Sequence, residues 1–340
     1  MSLQNLLLSY GLRKKLKRGP PPEHIDIPAT RRAMSQFGHQ ARVPSGWRIG
    51  ASTAPDLPGE WTRPLLDVHG NDSVAIDGTS AARCIATGDD DIAAHDVAVH
   101  IDMPTIFYLH GGGYYFCSPQ THRPLTLALA EKSGVQLFSL DYRLAPEHPH
   151  PAALDDALTA YRALLARGTS AANIVIAGDS AGGGLALATL IALQREGSPM
   201  PAGALLFSPW TDLAATGETL RTNDRSDVMF HGESVARAAR FYLGDIPATN
   251  PLVSPLYASE GEMAALPPLF VQASDREVLL DDSRRLVDRV RAAGGEAELR
   301  IWRRVPHVWQ IYHPFLPEAR RALDEAARFV RNRFSAAVTQ

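Results

Sequence analysis

Beyond residue 104 the chain alternates short apolar runs with longer segments of helical period, and no other feature limits its fold so strongly. Apolar runs fall at Thr105–Leu109, 135–140, 174–177, 204–207 and 269–272, and a further strand is read at Ala297–Trp302. Helical patterns lie between and after them at 122–132, Ala152–Ala166, 181–194, 286–293 and 319–334. Strands that read as nearly continuous apolar runs are buried on both faces, and helical connections make neighbouring strands parallel. The expectation is an α/β chain whose mostly parallel sheet is covered by helices on both sides. From Trp47 to about His100 the pattern is polar and alternating, with turn signals at Pro58-Gly59, Asn71-Asp72 and Gly88-Asp89. Antiparallel strands leading into the sheet are expected there. Residues 211–256 carry a helical pattern but no strand, so they are assigned to a cap inserted into the main domain of residues 46–340. Residues 1–45 are read as N-terminal cap helices, one ending at the Pro-rich break of residues 19–22 and another near 29–38.

Bulk properties remove several classes of function. With 45% hydrophobic and 21% charged residues the chain has globular composition. A net charge of −3 offers no basic field for a phosphate backbone, so no nucleic-acid partner is expected. The two cysteines, Cys84 and Cys117, form no metal-binding or redox pattern and are read as free thiols. Charge follows the apolar run at the N-terminus, the reverse of a secretory signal, and no run approaches the ~18 apolar residues of a membrane span. The chain is therefore expected to be cytoplasmic, without stable membrane insertion. Residues 1–18 are read as a cap helix over a site mouth. The competing reading is an interfacial anchor, with Leu3, Leu6, Leu7 and Leu8 opposed to Arg13, Lys14, Lys15 and Lys17.

The chemistry is carried by Gly178-Asp179-Ser180-Ala181-Gly182, which stands where an apolar strand meets a helix. G-x-S-x-G in that setting is a nucleophile elbow: the flanking glycines permit a turn too tight for side chains. Ser180 would then sit in a strained conformation at a helix N-terminus, where partial positive charge favours a developing anion. His110-Gly111-Gly112-Gly113 follows the strand Thr105–Leu109. Acyl transfer builds negative charge on a carbonyl oxygen, and a glycine run lets fixed N–H groups approach it. The amides of Gly112, Gly113 and Ala181 are the expected donors, and His110 is read as tying the loop down. No Lys or Ser/Thr follows in P-loop spacing, which disfavours a phosphate loop.

A base and an orienting acid should follow the serine, acid first, each in a loop after a late strand. The run 268–275 ends in Asp275, which is assigned as the acid; Asp281 and Asp282 read better as helix N-caps. One strand later, the loop Arg303-Arg304-Val305-Pro306-His307 supplies His307 as base, with His313 as the fallback. In this scheme Ser180 attacks a carbonyl, His307 takes its proton, and Asp275 holds the imidazole tautomer.

Three segments together resemble the hormone-sensitive lipase family of α/β-hydrolase esterases and lipases. They are His110-Gly111-Gly112-Gly113, Gly178-Asp179-Ser180-Ala181-Gly182-Gly183, and Asp141-Tyr142-Arg143-Leu144-Ala145-Pro146-Glu147-His148-Pro149. The third braces the loops beneath the site in that family, which removes a metal-ligand reading of His148 and His150. The resemblance spans roughly residues 40–335. It implies the α/β-hydrolase fold, with an eight-stranded, mostly parallel sheet and a helical cap. It also implies no cofactor or metal, frequent homo-oligomers, and carboxylic-ester substrates of short to medium acyl chains. Pro306-His307-Val308-Trp309 looks like bacterial members, some of them lactone hydrolases. One departure stands out. Many members follow the acid with Pro-Leu, whereas Arg276-Glu277 follows Asp275 here, before Val278-Leu279-Leu280-Asp281-Asp282 resumes a familiar variant.

Tyr114, Tyr115, Phe116, Trp210, Phe230 and Trp309 stand beside these motifs or in the cap and are assigned to the substrate pocket. No Arg or Lys stands out as a carboxylate clamp, so the expected small-molecule substrate is an uncharged ester. Lactone or amide hydrolysis by the same residues is the alternative. A more remote one is a non-catalytic binder of small molecules. Plant gibberellin receptors resemble this family and lack the histidine, so His307 argues against that reading.

Overall fold

The computed structural model describes residues 1–20, 24–38, 41–65 and 103–336. Eight strands, β1 (Trp47–Ala51), β2 (Gly59–Pro64), β3 (Thr105–Leu109), β4 (Gln136–Leu140), β5 (Ile174–Asp179), β6 (Gly203–Phe207), β7 (Leu269–Ser274) and β8 (Ala297–Trp302), form one sheet. Their order is β1-β2-β4-β3-β5-β6-β7-β8. β2 runs antiparallel to both its neighbours, and the pairs from β4 through β8 are parallel. Of the three turns expected before residue 100, Pro58-Gly59 leads into β2. Asn71-Asp72 and Gly88-Asp89, with Cys84, lie outside the described residues.

The apolar runs of the sequence bury alternate residues on opposite faces, as the strand period of two requires. Phe107, Leu109, Ile176 and Leu206 pack on one side, with Leu185 and Leu190 of α5 (Ala181–Arg195) and Leu154 of α4 (Ala152–Ala166). Ile106, Tyr108, Val175 and Leu205 pack on the other. There they meet Leu125 and Leu129 of α3 (Pro119–Ser133), and Leu323 and Val330 of α10 (Pro317–Ala336). α3 begins at a capping box between Ser118 and Thr121 with Pro119 at its first position, and stops at Gly134 in the left-handed conformation. Every residue of α5 from Ala181 to Leu193 is buried, in keeping with its composition of Ala, Gly and Leu.

The N-terminal segment contains α1 (Leu3–Leu16) and α2 (Ile27–Ser35). The segment between β6 and β7 contains α6 (Thr219–Thr222), α7 (Gly232–Leu243) and α8 (Glu260–Ala264). α9 (Leu280–Ala292) follows β7 and starts six residues earlier than its periodicity suggests. β4, β3 and β5 lie side by side, so the chain leaves β3 in one direction and returns past it to form β5. In open α/β sheets the crevice beyond the carboxyl ends of strands at such a reversal is where ligands bind.

Candidate active site

β5 runs into α5 through Ser180, whose φ of 51° and ψ of −122° lie in a region side chains rarely occupy. Such a conformation costs about 1–3 kcal/mol and persists only where its surroundings enforce it. Here the Ser180 amide donates to Phe207 O at 2.9 Å, and its carbonyl accepts from the amides of Gly183 at 3.0 Å and Trp210 at 2.9 Å. A Cβ at Gly182 would stand 2.0 Å from Leu109 O, so this close crossing of α5 over the end of β3 requires glycine.

The loop after β3 faces the same serine. Gly112 has φ 113°, and a Cβ there would meet Phe116 O at 2.1 Å. The amides of Gly112, Gly113 and Ala181 donate to no partner among the described residues. The loop is held from beneath. Gly111 N donates to Asp179 Oδ1 at 2.9 Å, the Tyr108 hydroxyl donates to the same oxygen at 2.7 Å, and His122 Nε2 lies 3.2 Å from Asp179 Oδ2. Tyr142 stacks on the His110 ring at 4.2 Å and donates to His110 O at 2.7 Å, while Ala145 N donates to Tyr114 O at 2.9 Å. His110 is fully buried, and burial, aided by His122, lowers its pKa to about 3.

Asp179 and His122 form a buried ion pair. Burial is the largest single influence and works against both charges. The partner's charge and hydrogen bond, with the further hydrogen bonds of Tyr108 and Gly111 to the acid and of the imidazole to the Ser118 carbonyl, together outweigh it, so the acid is lowered and the imidazole raised. Removing one charge strands the other. Asp179→Asn is expected to cost about 3 kcal/mol, read as a lowered urea midpoint. A midpoint within error of the parent would show that the pair does not support the loop.

His307 stands in the loop after β8, 4% exposed, with Nδ1 2.5 Å from Glu277 Oε2. Its carboxylate is therefore not the one expected from the sequence. Asp275 accepts instead from Arg304 N at 2.6 Å, on the outer side of the turn. The reason is the direction of the chain leaving β7. The Asp275 amide still continues the ladder to Trp302 O at 2.9 Å, which leaves its side chain over the exit of β8. Ser274 Oγ then accepts from Arg276 N at 3.1 Å and turns the chain back. Glu277 returns beneath the turn, 1% exposed, and its Oε1 accepts from Ser274 N at 2.8 Å.

His307 Nε2 is buried and has no hydrogen-bond partner among the described residues, Ser180 Oγ included. Adjacent contacts still bring the two segments to one rim of the sheet. Val308 N donates to Ser208 Oγ at 3.4 Å, and Phe207, one residue earlier, accepts the Ser180 amide. Burial tends to lower the His307 pKa. The Glu277 hydrogen bond and charge, with Asp227 and Asp179 adding, outweigh burial and raise it.

The inserted segment reaches this pair. Asp227 accepts from Val278 N at 2.9 Å and from the amides of Met229 and Phe230, and the Phe230 ring meets His307 edge-on at 5.2 Å. Tyr114 is stacked on Tyr242 of α7 at 3.7 Å and lies 6.1 Å from Trp210. Tyr115 meets Phe116 and Phe241 edge-on. Trp309, expected in the pocket, is instead fully buried with Val305, Leu316, Ala319 and Ala322. Val308 adopts a left-handed conformation that opens a 3₁₀ turn, and Trp309 packs there beside the start of α10. Asp281 and Asp282, expected as N-caps, accept the amides of Thr219 and of Thr211 and Asp212, and so brace the insertion.

A family model described as the alpha/beta hydrolase fold matches residues 106–311. An acetyl-hydrolase of Streptomyces hygroscopicus is 43% identical over 230 residues, 68% of this chain and 76% of its own. An esterase of Acinetobacter venetianus is 38% identical over 225 residues, 66% of this chain and 73% of its own. Among solved structures, an esterase from the bacterial hormone-sensitive lipase family superposes with a TM-score of 0.81 at 34% identity, covering 98% of this chain and 99% of the other. The chain belongs to the bacterial hormone-sensitive lipase family of esterases and lipases. Within that family's pattern the missed acid has a signal. Glu277-Val278-Leu279 occupies the place of acid-Pro-Leu when the acid is set two residues further along, with Val278 standing for the proline. Asp275 hides that signal, because it is the first carboxylate after the apolar run, where a strand-end acid is expected.

Proposed function

We propose that this hormone-sensitive lipase relative hydrolyses uncharged carboxylic esters of short to medium acyl chain through an acyl-enzyme. Ser180 Oγ attacks the carbonyl carbon and His307 Nε2 takes its proton. The carbonyl oxygen becomes an oxyanion held by the amides of Gly112, Gly113 and Ala181. His307 returns the proton to the leaving alkoxide, then activates water to release the acid and restore Ser180. Glu277, rather than Asp275, holds the Nδ1 proton and stabilises the imidazolium. Residues 1–45 and 211–256 act as the cap, and Tyr114, Tyr115, Phe116, Trp210 and Phe230 serve the pocket. A reducing cytoplasmic setting suits Cys117, a free thiol whose pKa burial pushes up to about 12.

One observation carries the reading: a buried Glu277–His307 pair with a free Nε2 stands on the same rim as a strained serine flanked by free amides. The solved structure of EstE5 soaked by p-nitrophenyl butyrate, a neighbour at 32% identity and TM-score 0.81, suggests the assay. Across p-nitrophenyl esters from acetate to palmitate, kcat/KM is expected to peak at short to medium chains. A rate climbing steadily to palmitate, or none with any ester, would overturn the proposal.

The pH profile tests the base. His307 must be neutral to accept a proton, and its pKa is raised, so activity should grow with pH through a midpoint above the ordinary ~6.5. A profile flat from pH 5 to 9 would remove His307 from that role.

A further inference from the structure

The N-terminal helix has two different faces, and only one is accounted for by the fold. Its inner side is tied down by polar contacts. Ser2 N and Oγ donate to the Glu318 carboxylate, and Asn5 Nδ2 donates to Arg304 O at 2.9 Å. Arg13 donates to the carbonyls of Arg225, Ser226 and Asp227, and Lys17 to those of Asp224, Asp227 and Phe230. The orientation of α1 is thereby set, and it leaves Leu3, Leu6, Leu7 and Tyr10 outward at 69%, 49%, 58% and 68% exposure. Their spacing of three, four and seven places them in one stripe. With Met1 and Leu16, the first sixteen residues hold six of the ten large apolar side chains exposed among the described residues, so the patch is concentrated rather than scattered.

Charge says what would cover it. Residues 1–18 contain five Arg or Lys and no acid. Taking those five from the 34 basic residues leaves 29 against 37 acidic ones in the remaining chain. Lys14 continues the stripe one turn beyond Tyr10 and is exposed, as is Arg18 just past the helix end. A second copy docking through the same segment would bring no carboxylate of its own residues 1–18 to meet Lys14 and Arg18. A surface of anionic headgroups over acyl chains matches both the apolar stripe and the positive charge. No helix among the described residues is long and apolar enough to cross a membrane, so the contact is peripheral.

We propose that the outward face of α1 docks this protein reversibly on an anionic lipid surface, with Leu3, Leu6, Leu7 and Tyr10 entering the interface and Lys14 and Arg18 meeting the headgroups. The opposite, inner side of the helix adjoins the site. The carbonyls gripped by Arg13 and Lys17 belong to the loop that carries Asp227 and Phe230, and Ser9 lines a narrow cleft with Glu277 and His307. The proposal concerns binding and does not rest on the esterase reading.

The test is flotation of the full chain as Ser180→Ala, which keeps the vesicles intact, with vesicles of phosphatidylglycerol and phosphatidylcholine or of phosphatidylcholine alone. Co-flotation is expected with the anionic vesicles, at least about fivefold above the neutral ones, and weakening with salt. Leu6→Ser/Leu7→Ser and, separately, Lys14→Glu/Arg18→Glu should each lower partitioning by about tenfold. Both alter exposed side chains, and unchanged thermal midpoints and unchanged far-ultraviolet circular dichroism would show that folding is intact. Absent flotation, equal binding to neutral vesicles, or variants that bind like the parent would overturn the proposal. So would light scattering that finds a dimer dissociated by Leu6→Ser/Leu7→Ser, which would give the face to a second copy.

Discussion

Ser180→Ala is expected to lower kcat for p-nitrophenyl butyrate by about 10³- to 10⁶-fold, the largest effect of any single change in this chain. The replacement removes the attacking oxygen and leaves the remaining machinery in place. The residual rate would reflect binding and the amides of Gly112, Gly113 and Ala181, which alone still outpace water. Stability should hardly fall. Alanine must adopt the same φ of 51°, and the amide and carbonyl bonds that impose it do not involve the side chain. KM should stay within a few-fold, because the hydroxyl contributes little to ground-state binding. Active-site titration with an organophosphonate should label the parent once and the variant not at all. Hydrolysis that persists in the variant would place the nucleophile elsewhere.

Glu277→Gln should produce the next largest loss, about 10³- to 10⁴-fold in kcat, whereas Asp275→Asn should stay within about threefold of the parent. The contrast comes from the different groups that the two carboxylates touch. Glu277 alone faces His307 Nδ1, and an amide there can present its NH₂ to that nitrogen and select the wrong tautomer. Asp275 accepts one backbone amide from Arg304, a contact an asparagine oxygen can keep. Glu277→Gln should also shift the pH midpoint downward, since the hydrogen bond and charge that raise the His307 pKa are lost while burial remains. Asp275→Asn should leave that midpoint in place. If the two variants exchange these behaviours, the acid is Asp275 and the observed pairing is not the working one.

The fold was legible because its signals are local and repeated. Runs such as residues 106–109 are apolar at every position, so they specify a strand buried on both faces whatever their neighbours do. The elbow at Ser180 was legible for a related reason. Gly182 leaves room for the Leu109 carbonyl, and that demand is written into the residue type itself. The route from β5 to the first helical turn and the donors of the glycine loop depend on the same few residues. Trp309 was misread because its neighbour His307 faces the site, and adjacency in sequence says nothing about direction once Val308 turns the backbone.

By itself the sequence determined the order of strands and helices, the serine in its strained turn, the glycine loop, and the histidine in the loop after the last strand. Backbone geometry and apolar periodicity act over a few residues, so those features need no knowledge of the rest of the chain. Tertiary structure alone decided which carboxylate meets the imidazole. Asp275 and Glu277 are two residues apart and chemically alike, and the choice lies in how the turn after β7 is drawn against β8 and the inserted segment. Tertiary structure also decided which side of α1 is left outward, because carbonyls more than two hundred residues away hold Arg13 and Lys17.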